Sequence, residues 1–148
     1  MTDSRRSKAD LARRAWQLMF DFLIFTVPAR QQSLQRRGLT PNDSRALFSL
    51  DEDQGRPIGT LASEWGCDPS NATFIIDRLE KAGLAERRAA AGDRRVKLVA
   101  LTSRGAQAKK ELLDEFHVPP PQLSNLRVAD LEALERILQS LRSENTHE

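Results

Sequence analysis

The side chains with the most chemistry to offer lie within residues 58–102. Ser70, Asn71, Thr73, Asp77 and Arg78 gather hydroxyl, amide, carboxylate and guanidinium groups on one short stretch, with Phe74 among them. Arg87, Arg88, Arg94, Arg95 and Lys97 follow, and they outnumber Glu86 and Asp93. Groups of the first kind can hydrogen-bond to base edges, while clustered arginines neutralise phosphates or enter a minor groove with its negative potential. Asp93 is an odd residue to place against DNA unless it orients the arginine two positions along. No set suited to covalent chemistry is visible. The chain has no tyrosine, no Gly-rich phosphate loop and no Cys/His or Ser/His/Asp constellation in context, so no enzyme is expected.

These groups need elements to carry them, and the local sequence supplies both. Asp68 reads as an N-cap, Pro69 as the first helical position and Gly83 as the stop. Between them Ala72, Ile75, Ile76 and Leu79 fall at helical spacing and make one apolar stripe, which leaves the polar residues on the other face. Residues 84–88 and 96–101 have strand-like alternation and flank residues 89–95, where Gly92-Asp93 is a turn signal. A short helix over residues 58–65 precedes the reading helix, with Gly66-Cys67-Asp68 as the turn between them. A helix-turn-helix followed by a basic hairpin is the pattern of a winged groove reader.

Length and composition set the frame. The 148 residues suit one small domain with extra helices, and charged residues make up 30%. Mean hydropathy is −0.53. A net charge of +2 proves no nucleic-acid partner, so the local clustering of arginine matters more. One cysteine, Cys67, excludes an intramolecular disulfide and every multi-cysteine metal motif. With only His117 and His147 beside it, neither a metal nor a cofactor is expected. His117 reads best as a cap of the helix before it, and His147 lies in the tail. The N-terminus is polar through Asp10, and the most apolar stretch, residues 16–27, falls short of the roughly 20 residues that span a bilayer. A cytoplasmic protein with no membrane partner is expected.

The flanks read as helices. Residues 7–37 form one long helix ending at Gly38, with a kink or break near Val27 because Pro28 removes a donor. Residues 40–50 form a second, with Ala46, Leu47 and Leu50 inward, and residues 51–56 a polar loop. Thr102 or Ser103 caps a helix carrying Leu112, Leu113 and Phe116, and Pro119-Pro120-Pro121 forces an extended break. The last helix, residues 128–142, has a leucine seam at Leu131, Leu134, Leu138 and Leu141, the habit of a helix packing on another helix. The expected fold is mainly α with a small β-hairpin wing. Residues 1–37 and 103–148 are dimerisation helices, and residues 38–102 are the winged helix-turn-helix core.

With these residues in view, the chain resembles the MarR family of bacterial transcription regulators. The family's motifs are matched in order by Leu39-Thr40, Leu61-Ala62, Asp68-Pro69-Ser70-Asn71-Ala72-Thr73, residues 77–84 with Glu86-Arg87, Asp93-Arg94-Arg95, and Leu101-Thr102-Ser103-Arg104-Gly105. The match runs over residues 39–105, and the flanking helices agree only in length and pattern. The resemblance implies a homodimer on double-stranded DNA, with a recognition helix in each major groove and a wing in each flanking minor groove. By that analogy Arg95 enters the minor groove and Asp93 holds it, while Arg94 meets phosphate. Ser70, Asn71, Thr73, Phe74, Asp77 and Arg78 are the remaining candidate DNA-binding residues. Phe74 departs from the arginine, small or polar residue common at its position, and it has two readings: contact with a thymine methyl, or packing back against the wing.

The resemblance also implies a repressor relieved by a small-molecule effector on a pseudo-palindromic operator. Aromatic acids are one effector class, and the aromatic run Trp16, Phe20, Phe22 and Phe25 with a cation such as Arg30 or Arg45 would suit one. Family members that sense peroxides place their cysteine near the start of the first helix, where this chain has none, so Cys67 reads as a packed turn residue. The rival function is a winged-helix module that binds protein rather than DNA.

Overall fold

The computed structural model describes residues 6–143, which leaves His147 outside them. The chain divides into two compact units, Met1–Phe116 and His117–Glu148. The first begins with α1 (Lys8–Phe25), started by a capping box in which Asp10 N–H donates to Ser7 Oγ and Ser7 N–H to Asp10 Oδ2. The expected break is present, one residue ahead of Val27. Thr26 separates α1 from α2 (Val27–Arg36). Pro28 has no N–H to donate back along the helix, and at the break side chains serve the neighbouring Leu23 carbonyl. Thr26 Oγ1 donates to Leu23 O at 2.9 Å, and Arg30 reaches the same carbonyl at 3.0 Å. Gly38 then ends α2 in the left-handed region at φ +66°.

α3 (Pro41–Ser49) starts at a second capping box, made by Thr40 and Asp43, and buries Ala46, Leu47 and Leu50 completely. The polar loop expected over residues 51–56 is in part a strand. β1 (Arg56–Pro57) pairs antiparallel with β3 (Asp93–Leu101), which also pairs with β2 (Ala85–Ala90), in the order β1-β3-β2. A strand of two residues containing proline has no periodicity to read; only its partner defines it. α4 (Ile58–Trp65) ends at Gly66, φ +62°, and α5 (Pro69–Lys81) follows.

α6 (Ser103–Phe116) is capped by Thr102, whose Oγ1 accepts the Gly105 N–H at 3.0 Å and donates to Gly83 O at 2.6 Å. The core lies between α3, α4, α5 and the sheet, built on Leu47, Leu50, Leu61, Ile76, Leu79, Val99 and Leu101. Cys67 is half-buried against it, as a turn residue should be. Each such aliphatic side chain contributes about 1.5–3 kcal/mol by leaving water, so the platform under α5 is rigid. In contrast, no residue of α1 is buried among the described residues.

The second unit holds α7 (Pro121–Ser124) and α8 (Val128–Ser143). The proline run is extended at Pro120, but Pro121 opens the short α7 rather than continuing the break. On α8, Leu131 and Leu134 are half-buried, while Ile137, Leu138 and Leu141 are exposed. His117 is exposed.

Candidate nucleic-acid interface

α5 is positioned by the stripe that the sequence predicts. Ala72, Ile75, Ile76 and Leu79 are all buried, and this fixes which residues face out. Asp68 occupies the N-cap, but its side chain makes no cap bond; its carbonyl accepts from Asn71 and Ala72 instead. Ser70, Asn71, Asp77 and Arg78 are exposed and Thr73 is half-buried. Phe74 is 61% exposed, so it stands in solvent rather than packing back against the hairpin.

Two of these residues have partners of their own. Arg78 forks onto Asp43 of α3, with Nε 3.3 Å from Oδ1 and Nη2 3.0 Å from Oδ2. Asp43 is only 2% exposed. Burial pushes its carboxyl pKa up, but the Arg78 guanidinium and the bonds to Thr40 outweigh that and leave it below the usual range. Asp77 accepts from Arg87 Nη2 at 2.7 Å, and Arg87 also pairs with Glu80. Arg87 thus ties β2 to α5 through two carboxylates of that helix. Arg88 is engaged as well, donating to Glu86 Oε1 at 2.7 Å and to Glu52 O at 2.6 Å.

The rest of the wing is different. The hairpin is longer than the sequence predicts, because the strands run on through Ala89 and Ala90 and resume at Asp93. Ala89 faces Lys97, but the next residue, Ala90, faces Asp93. Arg94, Arg95 and Val96 therefore have no residue opposite and form a bulge on β3, beside the turn at Gly92. Bulges twist a strand and re-aim its side chains. The side chains of Arg94, Arg95 and Lys97 have no hydrogen-bond or ion-pair partner among the described residues. Asp93 does engage Arg95, but through the main chain: its Oδ1 accepts the Arg95 N–H at 2.9 Å. The carboxylate shapes the backbone that carries the arginine and leaves the guanidinium unengaged.

The family model for "MarR family" matches residues 39–97, which holds α3, α4, α5 and most of the wing. Over 114 residues the chain is 34% identical to the uncharacterized HTH-type transcriptional regulator YcgE of Bacillus subtilis (strain 168), covering 76% of this chain and 71% of that protein. The chain belongs to the MarR family. It is also 33% identical over 117 residues to the transcriptional repressor MprA of Escherichia coli (strain K12), covering 77% of this chain and 66% of that one. A mutant of S. aureus MepR solved with a bound oligodeoxyribonucleotide superposes with a TM-score of 0.66 at 18% identity, over 88% of this chain and 98% of that one, which speaks to the fold.

As a MarR-family winged helix-turn-helix, the protein puts its predicted site residues on two neighbouring elements. Ser70, Asn71, Thr73, Phe74, Asp77 and Arg78 are on α5, and Asp93, Arg94 and Arg95 are at the tip of the wing. Neither the role of Asp43 nor the clamp made by Arg87 is evident from the sequence alone. Thr40 and Asp43 have the spacing of a capping box, which is legible in sequence, but the second partner of Asp43 is 35 residues away. Among the described residues no helix is long and apolar enough to cross a membrane.

Proposed function

We propose that this MarR-family regulator binds double-stranded DNA sequence-specifically, as a homodimer on a pseudo-palindromic operator. In this reading α5 lies in the major groove, and Arg95 enters the minor groove while Arg94 meets phosphate. The carrying observation is the division of labour among the wing cations. Arg87 and Arg88 are engaged within the protein, whereas Arg94, Arg95 and Lys97 stand unpaired on the wing that follows α5. A module that binds protein has no need of two unpaired cations on a bulge and a third, Lys97, at its edge. The relatives agree in kind: MprA is named a repressor, and the MepR mutant was solved with DNA.

The dimer reading rests on α1 and α8. Trp16, Phe20, Leu23, Ile24 and Phe25 are each more than half exposed, and α8 offers Ile137, Leu138 and Leu141. Apolar surface on this scale marks an interaction site. Residues 1–37 and the helices of 103–148 are the proposed dimerisation elements, flanking the core of residues 38–102. A small-molecule effector that relieves repression completes the proposal. Arg30 donates to Thr26 and Leu23 O, and Arg45 to Trp65 O and Asn42, so each guanidinium has only neutral partners and keeps a charge that could meet an effector carboxylate.

The test is selection of bound sequences from a random duplex pool, with a salt titration on random DNA. Phosphate contacts require a negative slope of log affinity against log salt, about 0.9 per contact. No enrichment and a flat salt response would favour the protein-binding module. Light scattering showing a monomer at micromolar concentration would end the dimer reading.

A further inference from the structure

Among the described residues Asp43 is the only charged side chain that is fully buried. Capping α3 does not require this, since an exposed carboxylate at the same position would accept the Thr40 N–H equally well. Nor is the ion pair needed to hold α3 to α5, which already meet through buried Ala46, Leu47, Ala72 and Ile76. A buried carboxylate met by a partly exposed guanidinium is weak support for stability, and it is better explained by the geometry it fixes. Here the geometry is that of Arg78. On α5, Arg78 continues the exposed row begun by Asn71 and Phe74, and its side chain is 42% exposed. Asp43 takes Nε and Nη2 in a fork, while Thr40 N–H, 2.8 Å from Oδ2, holds the carboxylate itself. The rest of the guanidinium is then presented in one orientation, on a side chain that would otherwise be mobile.

We propose that Asp43 is a positioning residue for operator specificity: it fixes the Arg78 guanidinium on the reading face of α5. The proposal rests on the DNA-binding reading above and makes a prediction that simple electrostatics opposes. Removing a negative charge near DNA should tighten binding to every duplex. Removing a positioning carboxylate weakens binding to the operator alone.

The experiment selects an operator with the wild-type chain, then measures affinity for it and for a scrambled duplex of equal length. Wild type, Asp43→Asn, Arg78→Lys and the double variant are compared, with folding checked by circular dichroism. Asp43→Asn keeps the shape of the side chain and an acceptor for Thr40, whereas Arg78→Lys keeps the charge and loses the fork. Each single variant should lower the operator-to-scrambled affinity ratio about tenfold. The double variant should lose no more than the worse single one, because both act through one contact. Binding to the scrambled duplex should be unchanged or tighter in Asp43→Asn. An unchanged ratio, equal losses on both duplexes, or losses that multiply in the double variant would each overturn the proposal while leaving DNA binding intact. If Asp43→Asn does not fold, Arg78→Lys alone decides, and a retained ratio refutes the positioning role. A wild-type chain that binds no duplex overturns this proposal together with the reading beneath it.

Discussion

Gly105→Ala should unfold the joint on which the wing is mounted. Gly105 is the third residue of α6, where the helix passes against the start of β2. A Cβ there would lie 1.8 Å from Leu84 O and 2.8 Å from Leu84 C. Even a close carbon–oxygen contact is roughly 3.3 Å, so the backbone would have to give by about 1.5 Å. Leu84 has little freedom to move. Its carbonyl accepts from Thr102 N–H at 3.1 Å, its N–H donates to Leu79 O at 2.9 Å, and its side chain is buried in the core. Overpacking against side chains costs about 1–3 kcal/mol. Because the obstacle here is backbone and a hydrogen bond worth about 1 kcal/mol is also at stake, the expected loss is about 3 kcal/mol or more. For a chain of this size that lowers Tm by roughly 6–12 °C. Gly59→Ala is the control: it sits in α4 with nothing within 4 Å of the new Cβ, and it should be neutral or stabilise by up to about 1 kcal/mol. Urea unfolding followed by circular dichroism measures both. A loss below about 1 kcal/mol in Gly105→Ala, with an unchanged m-value, would refute the close approach.

The acid limb of stability should depend on Glu115, whose pKa is held down to about 2 from 4.5 by its hydrogen bonds to Arg37, Ser33 and Arg36 and by the Arg37 charge. A depressed carboxylate stabilises the fold above its unfolded value and loses that contribution as pH falls from 4.5 toward 2, so urea midpoints of Glu115→Gln should vary less with pH across that window. Asp93→Ala removes the acceptor of the Arg95 N–H and should weaken DNA binding although it deletes a negative charge; tighter binding in a mobility-shift titration would show Asp93 to be a plain repulsive group. Arg87→Ala should weaken binding by exposing Asp77 and Glu80 on the reading helix, and adding Asp77→Asn and Glu80→Gln should restore affinity for random duplex. If that triple variant stays weak, Arg87 meets phosphate itself.

What was legible in the sequence was what short spacing controls. The stripe from Ala72 to Leu79, the cap at Thr40 and the stop at Gly83 depend on residues a turn or two apart, and all are in place. Pro28 announced the break in the first helix for the same reason, and only the residue at which it falls differs by one. Pairing across the sheet was not legible. Alanine, arginine and aspartate have little intrinsic strand preference, so residues 89–95 read as a loop; register with Lys97 and Asp93 turns most of them into strand and throws Arg94 and Arg95 into a bulge. The partner of Arg78 was hidden for a related reason. From α5 alone an arginine on the polar face is a free reader, and only the packing of α3 across it brings Asp43 within hydrogen-bonding distance.

The same partners explain how a chain with a net charge of only +2 can address a polyanion. Around α5 and the wing, Asp43 is covered by Arg78, Asp77 and Glu80 by Arg87, and Glu86 by Arg88, while Asp93 is turned onto the Arg95 N–H. Each of these carboxylates would otherwise repel a phosphate, and at physiological salt that repulsion reaches only about 8 Å. Local compensation therefore suffices, and distant acidic residues matter little. The arginines spent on it release few counterions of their own, because their charge is already met. The salt dependence of DNA binding should accordingly follow Arg94, Arg95, Lys97 and any further unpaired cation, rather than the number of arginines in the hairpin. A slope that counted Arg87 and Arg88 as well would mean that these pairs open when DNA arrives.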